Sequence, residues 1–242
     1  MTIKFLVTND DGVDAPGLAT LDRLLAPWGE RLVIAPSEPH SGCSHRATTD
    51  RPLQMTRSDV GWHAIDGTPV DCTRIGLKYL AEDIDWVLAG INQGGNLGSD
   101  VFMSGTVAAV REAALWGKPG IAISQYRRAR GEVDWSRAAH WTAQVLEALL
   151  KKPLAPGAFW NVNLPDPEIE LEMPNIAYCP VDPHPLPVAY RREAGALVYQ
   201  GDYQNRRREP GSDVQLCFAG NITVTRVTLA CSAESASLPA SR

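Results

Sequence analysis

Hydrophobic residues in the first two-thirds of the chain fall into short runs separated by stretches with helical spacing. Residues 3–8, IKFLVT, form an apolar run that breaks off at Asn9-Asp10-Asp11-Gly12 and predict a buried strand. Residues 15–25 then place Leu18, Leu21, Leu24 and Leu25 on one helical face. Asp14 stands where an N-cap is expected, and Pro16 suits a first helical turn. The run "RLVIAP" predicts a second strand that Pro36 ends, and a polar stretch over residues 37–51 follows, long enough to be a functional loop. A weaker strand around residues 62–65 leads into "GTPVDCTRIGLKYLA", where Thr68 caps, Pro69 begins and Val70, Ile75, Leu77 and Leu80 mark a helix. "DWVLAGIN" predicts another buried strand. After a glycine-rich loop come a helix over about residues 105–116, a strand at "PGIAISQ" and an amphipathic helix over residues 135–150.

Strands alternating with helices imply parallel βαβ units, so residues 1–165 predict a three-layer α/β core. After "AFWNVNLP" the pattern changes. From about residue 175 to 221 proline, glycine and aromatic β-formers dominate. "ALVYQGDYQ" has the look of a hairpin arm, and "NITVTRVTL" alternates as an amphipathic strand should. Residues 175–230 therefore predict a β-rich extension of the kind used for contacts between subunits, and the last dozen residues a loose tail.

Composition narrows the field. A chain of 242 residues with 44% hydrophobic residues can bury a large core. A formal net charge of −5 gives no basis for binding a nucleic-acid polymer through a basic face. The lone basic run, "RRRE" at residues 206–209, reads as an exposed loop. No apolar stretch approaches the roughly 20 residues of a membrane span. The N-terminus lacks a signal-peptide pattern, so no membrane partner and a cytoplasmic location are expected. The five cysteines are scattered without a CxxC pair, which fits reduced buried thiols better than a zinc site or disulfide framework.

In parallel α/β sheets ligands bind beyond the carboxyl ends of the strands. Three informative stretches fall there: Asn9-Asp10-Asp11-Gly12, the 37–51 loop and the strand end at Asn92. Adjacent carboxylates repel each other. Joined by hydroxyl and amide oxygens they suit a hard cation such as Mg²⁺, Mn²⁺ or Ca²⁺; the alternative is a polar turn opening the next helix. Ser104-Gly105-Thr106 enters a helix of small, apolar residues whose N-terminus is a natural phosphate seat, unless the hydroxyls serve only as caps. Neither GxGxxG after the first strand nor GxxxxGK[ST] occurs, which argues against dinucleotide and P-loop sites. A cation beside an anion seat points to hydrolysis of a phosphate ester. His40 and His45 lie in the polar loop, where one could protonate a leaving group or both could be solvated bystanders.

The segments "TNDDGVDAPG", "APSEPHSGCS", "GTPVDC" and above all "AGINQGGNLGSDVFMSGTVAA" resemble the SurE family of metal-dependent 5'/3'-nucleotidases, with weaker echoes in "NVNLP" and "GSDVQLCFAGNITVTRVTL". The resemblance implies a Rossmann-like core with a C-terminal arm exchanged between subunits of a homodimer or homotetramer. It implies one divalent cation per subunit, Mg²⁺ or Mn²⁺, held by Asp10, Asp11, Ser41 and Asn92. Asn9, Asp10 and Asp11 are the catalytic candidates, and Asn96, Ser104, Gly105 and Thr106 the phosphate contacts. Two positions depart from the family pattern: His40 stands where an arginine is common, and Met103 where a tyrosine precedes SGTVAA. The expected reaction is hydrolysis of a nucleoside 5'-monophosphate to nucleoside and phosphate by in-line attack of water, with 3'-nucleotides as further substrates. A covalent aspartyl-phosphate through Asp10 or Asp11 is the mechanistic rival. The functional rival is a non-catalytic nucleotide-binding or receiver-like regulatory module. Such a receiver wants a further Asp and a Lys at later strand ends, where this chain has Asn92 and Ser124-Gln125.

Overall fold

The computed structural model describes residues 2–128, 131–166 and 172–230; the tail expected over the last dozen residues lies outside them. The N-terminal part alternates as the sequence predicts: β1 (Ile3–Thr8), α1 (Pro16–Leu25), β2 (Gly29–Pro36), β3 (Met55–Arg57), β4 (His63–Ile65) and α2 (Pro69–Ile75). A π-helical turn (Gly76–Leu80) continues α2, so the helix expected through Leu80 changes its winding after Ile75. β5 (Trp86–Gln93), α3 (Asp100–Met103), α4 (Gly105–Leu115), β6 (Gly120–Gln125), α5 (Trp135–Leu149) and β7 (Ala158–Leu164) complete the core. Then come β8 (Ile176–Tyr178), β9 (Tyr190–Glu193), β10 (Ala196–Tyr199), α6 (Asp213–Phe218) and β11 (Ile222–Thr228).

Nine strands form one sheet in the order β3-β4-β2-β1-β5-β6-β7-β11-β8. The neighbours from β4 to β7 are all parallel. β3 runs antiparallel to β4 at one edge, and β11 antiparallel to β7 towards the other. Helices α1 and α5 cover one face, where Leu18, Leu21, Trp141 and Leu146 pack on Phe5 and Val7. On the other face Cys72, Val107 and Val110 of α2 and α4 pack on Leu6 and Val87. This is the three-layer α/β fold. Alternate residues of β1 reach both faces, so a parallel inner strand reads as one apolar run.

Several local features differ from the expectation. The N-cap of α1 is Ala15, not Asp14, and no side chain caps it. Proline at 16 pushes the preceding residue into the extended region, which makes Ala15 the last non-helical position. Its amide donates to the Gly12 carbonyl at 3.1 Å. At α2, Thr68 caps as expected, in a box with Asp71. β11 does not alternate: its first four residues are all buried, because it is an inner strand between β7 and β8. The β-rich segment therefore divides. β8 and β11 join the main sheet, β9 and β10 pair only with each other, and six-residue α6 stands in a stretch that shows little helical periodicity. Among the described residues no helix is long and apolar enough to cross a membrane.

Candidate active site

The strand order reverses between β2-β1 and β1-β5, and the crevice beyond this switch point is where an open α/β sheet takes its ligand. Asp10 and Asp11 follow β1, and Asn92 lies near the end of β5, on either side of it. Between Ala89–Ala122 and Asn92–Ser124 the pairing of β5 with β6 slips by one residue. Gly90 takes φ +141° at this bulge, and a Cβ there would lie 2.3 Å from the Ile123 carbonyl oxygen. Such bulges re-aim the side chains beside a site, here Asn92.

A pocket of about 290 Å³ opens at this point, with Asp10, Asp11, Ser41, Asn92, Asn96 and Ser104 in its wall. Six of the residues expected from sequence, far apart along the chain, thus share one cavity. A larger hollow of about 430 Å³ sits by the starts of β5 and β7, but prolines and lysines line it and no carboxylate does.

Asp10 is buried, and burial raises its carboxyl to a pKa of about 6, with the adjacent Asp11 adding repulsion. The Thr106 hydroxyl donates to Asp10 Oδ1 and opposes that rise. Asp11 is half-buried; burial pushes its pKa up too, against the Gln93 N–H, which donates to Oδ2 at 3.0 Å. Among the described residues no lysine, arginine or histidine forms an ion pair with either carboxylate. The Asn92 amide donates to the Gly94 carbonyl at 2.7 Å, and its Oδ1 accepts no hydrogen bond among the described residues. Asn9 donates to the Gly12 carbonyl at 2.8 Å, bracing the turn that carries the two acids, while its buried Oδ1 has no partner among the described residues. Two uncompensated carboxylates, a free amide oxygen and the Ser41 hydroxyl are the hard, all-oxygen donor set that Mg²⁺ or Mn²⁺ prefers, so the residues fit a divalent cation.

The start of α4 is built around Asp10. Ser104 is the N-cap and accepts from Val107 N–H at 3.0 Å. A Cβ on Gly105 would come within 2.8 Å of Asp10 Cβ and 2.9 Å of its Oδ2, so only glycine lets the carboxylate approach this helix. Thr106 is fully buried and does not line the pocket; its hydroxyl serves Asp10. Asn96 is fixed more firmly than its neighbours. Its N–H donates to Asn163 Oδ1 at 2.7 Å, its side-chain amide to Ser124 at 2.7 Å, and its carbonyl accepts from Asn161 at 2.8 Å.

The family model for Survival protein SurE matches residues 5–182. The chain belongs to the SurE family. It is 49% identical over 94% of its length to a protein of Nostoc sp. provisionally named a 5'-nucleotidase, 99% of which is covered. It is 30% identical to the 5'-nucleotidase SurE of Clostridium beijerinckii, with 92% of each chain covered. The crystal structure of the SurE protein from Aquifex aeolicus superimposes with a TM-score of 0.82 at 28% identity, covering 95% of this chain and 94% of that one.

In this SurE chain the loop that carries Ser41 is tied down along its length. His40 N–H donates to the Asp10 carbonyl at 2.7 Å, and Ser44 N–H to Met103 at 2.9 Å. His45 Nε2 meets Glu112 at 2.8 Å, and Thr48 N–H reaches Asp71 at 2.9 Å. Neither imidazole lines the pocket: His40 lies against Arg46 and His45 against Glu112. Gln93, Asp100, Met103 and Tyr203 also line it, although the residue pattern does not single them out as site residues. "RRRE" is not simply exposed, either. Arg206 is buried, and its guanidinium donates to the Leu97 carbonyl and to Asp100, each at 3.2 Å.

Proposed function

We propose that this SurE-family chain is a metal-dependent nucleotidase that hydrolyses nucleoside 5'-monophosphates to nucleoside and phosphate, with 3'-nucleotides as further substrates. The observation that carries the reading is the pair Asp10 and Asp11, buried or half-buried and without a cationic partner among the described residues, in a pocket that also holds Asn92, Ser41, Asn96 and Ser104. That the Clostridium beijerinckii relative is named a 5'-nucleotidase supports it. Asp10, Asp11, Ser41 and Asn92 would hold one divalent cation, Mg²⁺ or Mn²⁺. When bound, that ion supplies Lewis acidity, neutralising phosphoryl charge and making water a better nucleophile.

The remaining work belongs to the protein. Thr106 holds the Asp10 carboxylate and the Gln93 N–H holds that of Asp11, so both acids keep a fixed direction. Asn96, pinned by Asn161, Asn163 and Ser124, and Ser104, with the Gly105–Thr106 helix start behind it, seat the phosphoryl oxygens. Asn9 braces the acidic turn. The exposed hairpin β9–β10, carrying Tyr190, Leu197 and Tyr199, suits contact with a second copy in a homodimer or homotetramer.

The test is AMP hydrolysis with Mn²⁺, repeated with a chelator and with Asp11→Asn. Turnover that needs the metal and Asp11 is expected; binding of AMP without any turnover would favour the regulatory reading instead. Single-turnover oxygen exchange separates attack by water from an aspartyl-phosphate, because label first appearing on the enzyme's carboxylate would sink direct attack.

A further inference from the structure

We propose that Tyr203 and Met103 form the wall that holds the nucleoside base, with Tyr203 the specificity-determining residue; this rests on the nucleotidase reading. The lining of the pocket leaves little choice of place. Of its twelve lining residues ten are polar or glycine, and only Met103 and Tyr203 present a sizeable apolar surface. A phosphoryl group belongs with the donors and a cation, whereas a base is a flat, weakly hydrated ring that gains by stacking. Within this pocket these two side chains are the place for it.

Tyr203 is pre-organised for that task. Its hydroxyl donates to Asp100 Oδ2 at 2.6 Å. Burial and the Asp100 charge both drive its pKa upward, so it remains a neutral phenol. The Arg206 guanidinium lies 4.9 Å from the ring centroid, and the Phe218 ring 6.2 Å away and tilted. The backbone around it is clamped too. Asp202 accepts from Gln204 N–H at 3.0 Å and Asn205 N–H at 3.2 Å, and Gln204 Oε1 accepts from the Tyr126 hydroxyl. A ring held on so many sides loses little freedom when a base stacks on it. Met103, 44% exposed, brings a flexible thioether that adapts to rings of different size.

The test uses adenosine, which has a base and no phosphate, and inorganic phosphate with Mn²⁺, which has the reverse. Calorimetry should find adenosine binding weakened roughly tenfold in Tyr203→Ala, since stacking on one aromatic is of that order, with phosphate binding unchanged. Tyr203→Phe keeps the ring and should hold adenosine within about twofold, and Met103→Ala should cost roughly threefold. Equal losses of adenosine and phosphate would mean that Tyr203 only supports the pocket, and the proposal falls. It falls equally if adenosine binds Tyr203→Ala as well as the parent, or if Tyr203→Phe loses as much as Tyr203→Ala. The nucleotidase reading is tested apart from this. Absence of Mn²⁺-dependent AMP hydrolysis overturns that reading, while Tyr203-dependent adenosine binding would leave the base site standing.

Discussion

Two pairs of carboxylates, buried but for the half-buried Asp11, lie near the carboxyl end of the sheet, and they are treated in opposite ways. Asp182 and Asp213 are saturated. Asp213 accepts from the N–H groups of Gly98 at 2.9 Å, Asp182 at 2.8 Å and Val214 at 2.8 Å. Asp182 accepts from the Glu209 N–H and the Ser212 hydroxyl, each at 2.7 Å, and from His184 N–H at 2.9 Å. Among the described residues, Asp10 draws on the Thr106 hydroxyl and nearby backbone N–H groups and Asp11 on the Gln93 N–H, with no cationic partner for either, although they are neighbours in sequence and repel each other. Buried polar groups are normally satisfied, so the first pair reads as structural, while the second matches the cation-holding role proposed for it. The saturated pair also serves the unsaturated one, since Asp213 anchors Gly98 in the loop that carries Asn96.

The sharpest way to break this contrast is to remove one acid from each pair. Asp11→Asn should abolish metal-dependent AMP turnover, a loss on the order of a thousandfold or more for a group that places the cation. The fold should not suffer. Relieved of the like charge beside Asp10, the metal-free variant should melt at or a few degrees above the parent. Added Mn²⁺ should raise the parent's melting temperature and leave the variant's unmoved, because on the proposed assignment only the parent would bind the ion in its native state. Next in size is Gly105→Ala. Its new Cβ would press on the Asp10 side chain at under 3 Å and displace it. Misplacement of a catalytic group by about 1 Å costs roughly a hundredfold in rate. Unchanged kinetics would mean that the close approach of Asp10 to α4 is incidental.

The matching change in the saturated pair should strike stability first. Asp213→Ala leaves the Gly98 and Asp182 N–H groups buried without acceptors, at about 1–3 kcal/mol for each such group. Urea unfolding should register a loss of about 2–6 kcal/mol, and AMP hydrolysis should fall far less than in Asp11→Asn. A variant as stable as the parent but catalytically dead would invert the assignment of the two pairs.

Much of this contrast is legible in the amino-acid sequence. β1 and β6 are covered on both faces and so read as apolar runs, and the acidic doublet stands where such a run stops. Ser104 and Gly105 are legible because a helix starting with small residues announces a close approach. The particular partner is not: Thr106 reads as a phosphate ligand until its hydroxyl is found on Asp10, 96 positions away. Tyr203 and Arg206 are hidden for the same reason. They sit in a stretch with no helical or strand period, and their meaning comes from Asp100, more than a hundred residues earlier. "RRRE" is a charge run by composition, and only the fold shows that its first arginine turns inward. β3 escapes the hydrophobic pattern because all three of its residues are exposed, so burial left no trace in them.

Another buried carboxylate, Glu112, lies between these extremes and predicts the gentlest effect. Glu112 is 1% exposed and meets Arg74 Nε at 2.7 Å, His45 Nε2 at 2.8 Å and Trp116 Nε1 at 2.8 Å. Burial alone would raise its pKa, yet the bonds from His45, Arg74 and Trp116 prevail and hold it down to about 2. The native pKa is therefore below the unfolded value of 4.5, so the native state binds fewer protons than the unfolded chain between the two. The stability that Glu112 contributes is fully present above pH 4.5 and drains away as the pH falls towards 2. Glu112→Gln cannot titrate, so its unfolding free energy should be lower than the parent's near neutrality and fall less steeply over that interval. Because Glu112 also holds His45 in the loop that carries Ser41, metal affinity at neutral pH should drop a few-fold in the same variant. If the loop is indifferent to Glu112, the acid profile would change while the metal affinity would not. Glu112 would then rank with the saturated pair as a purely structural acid.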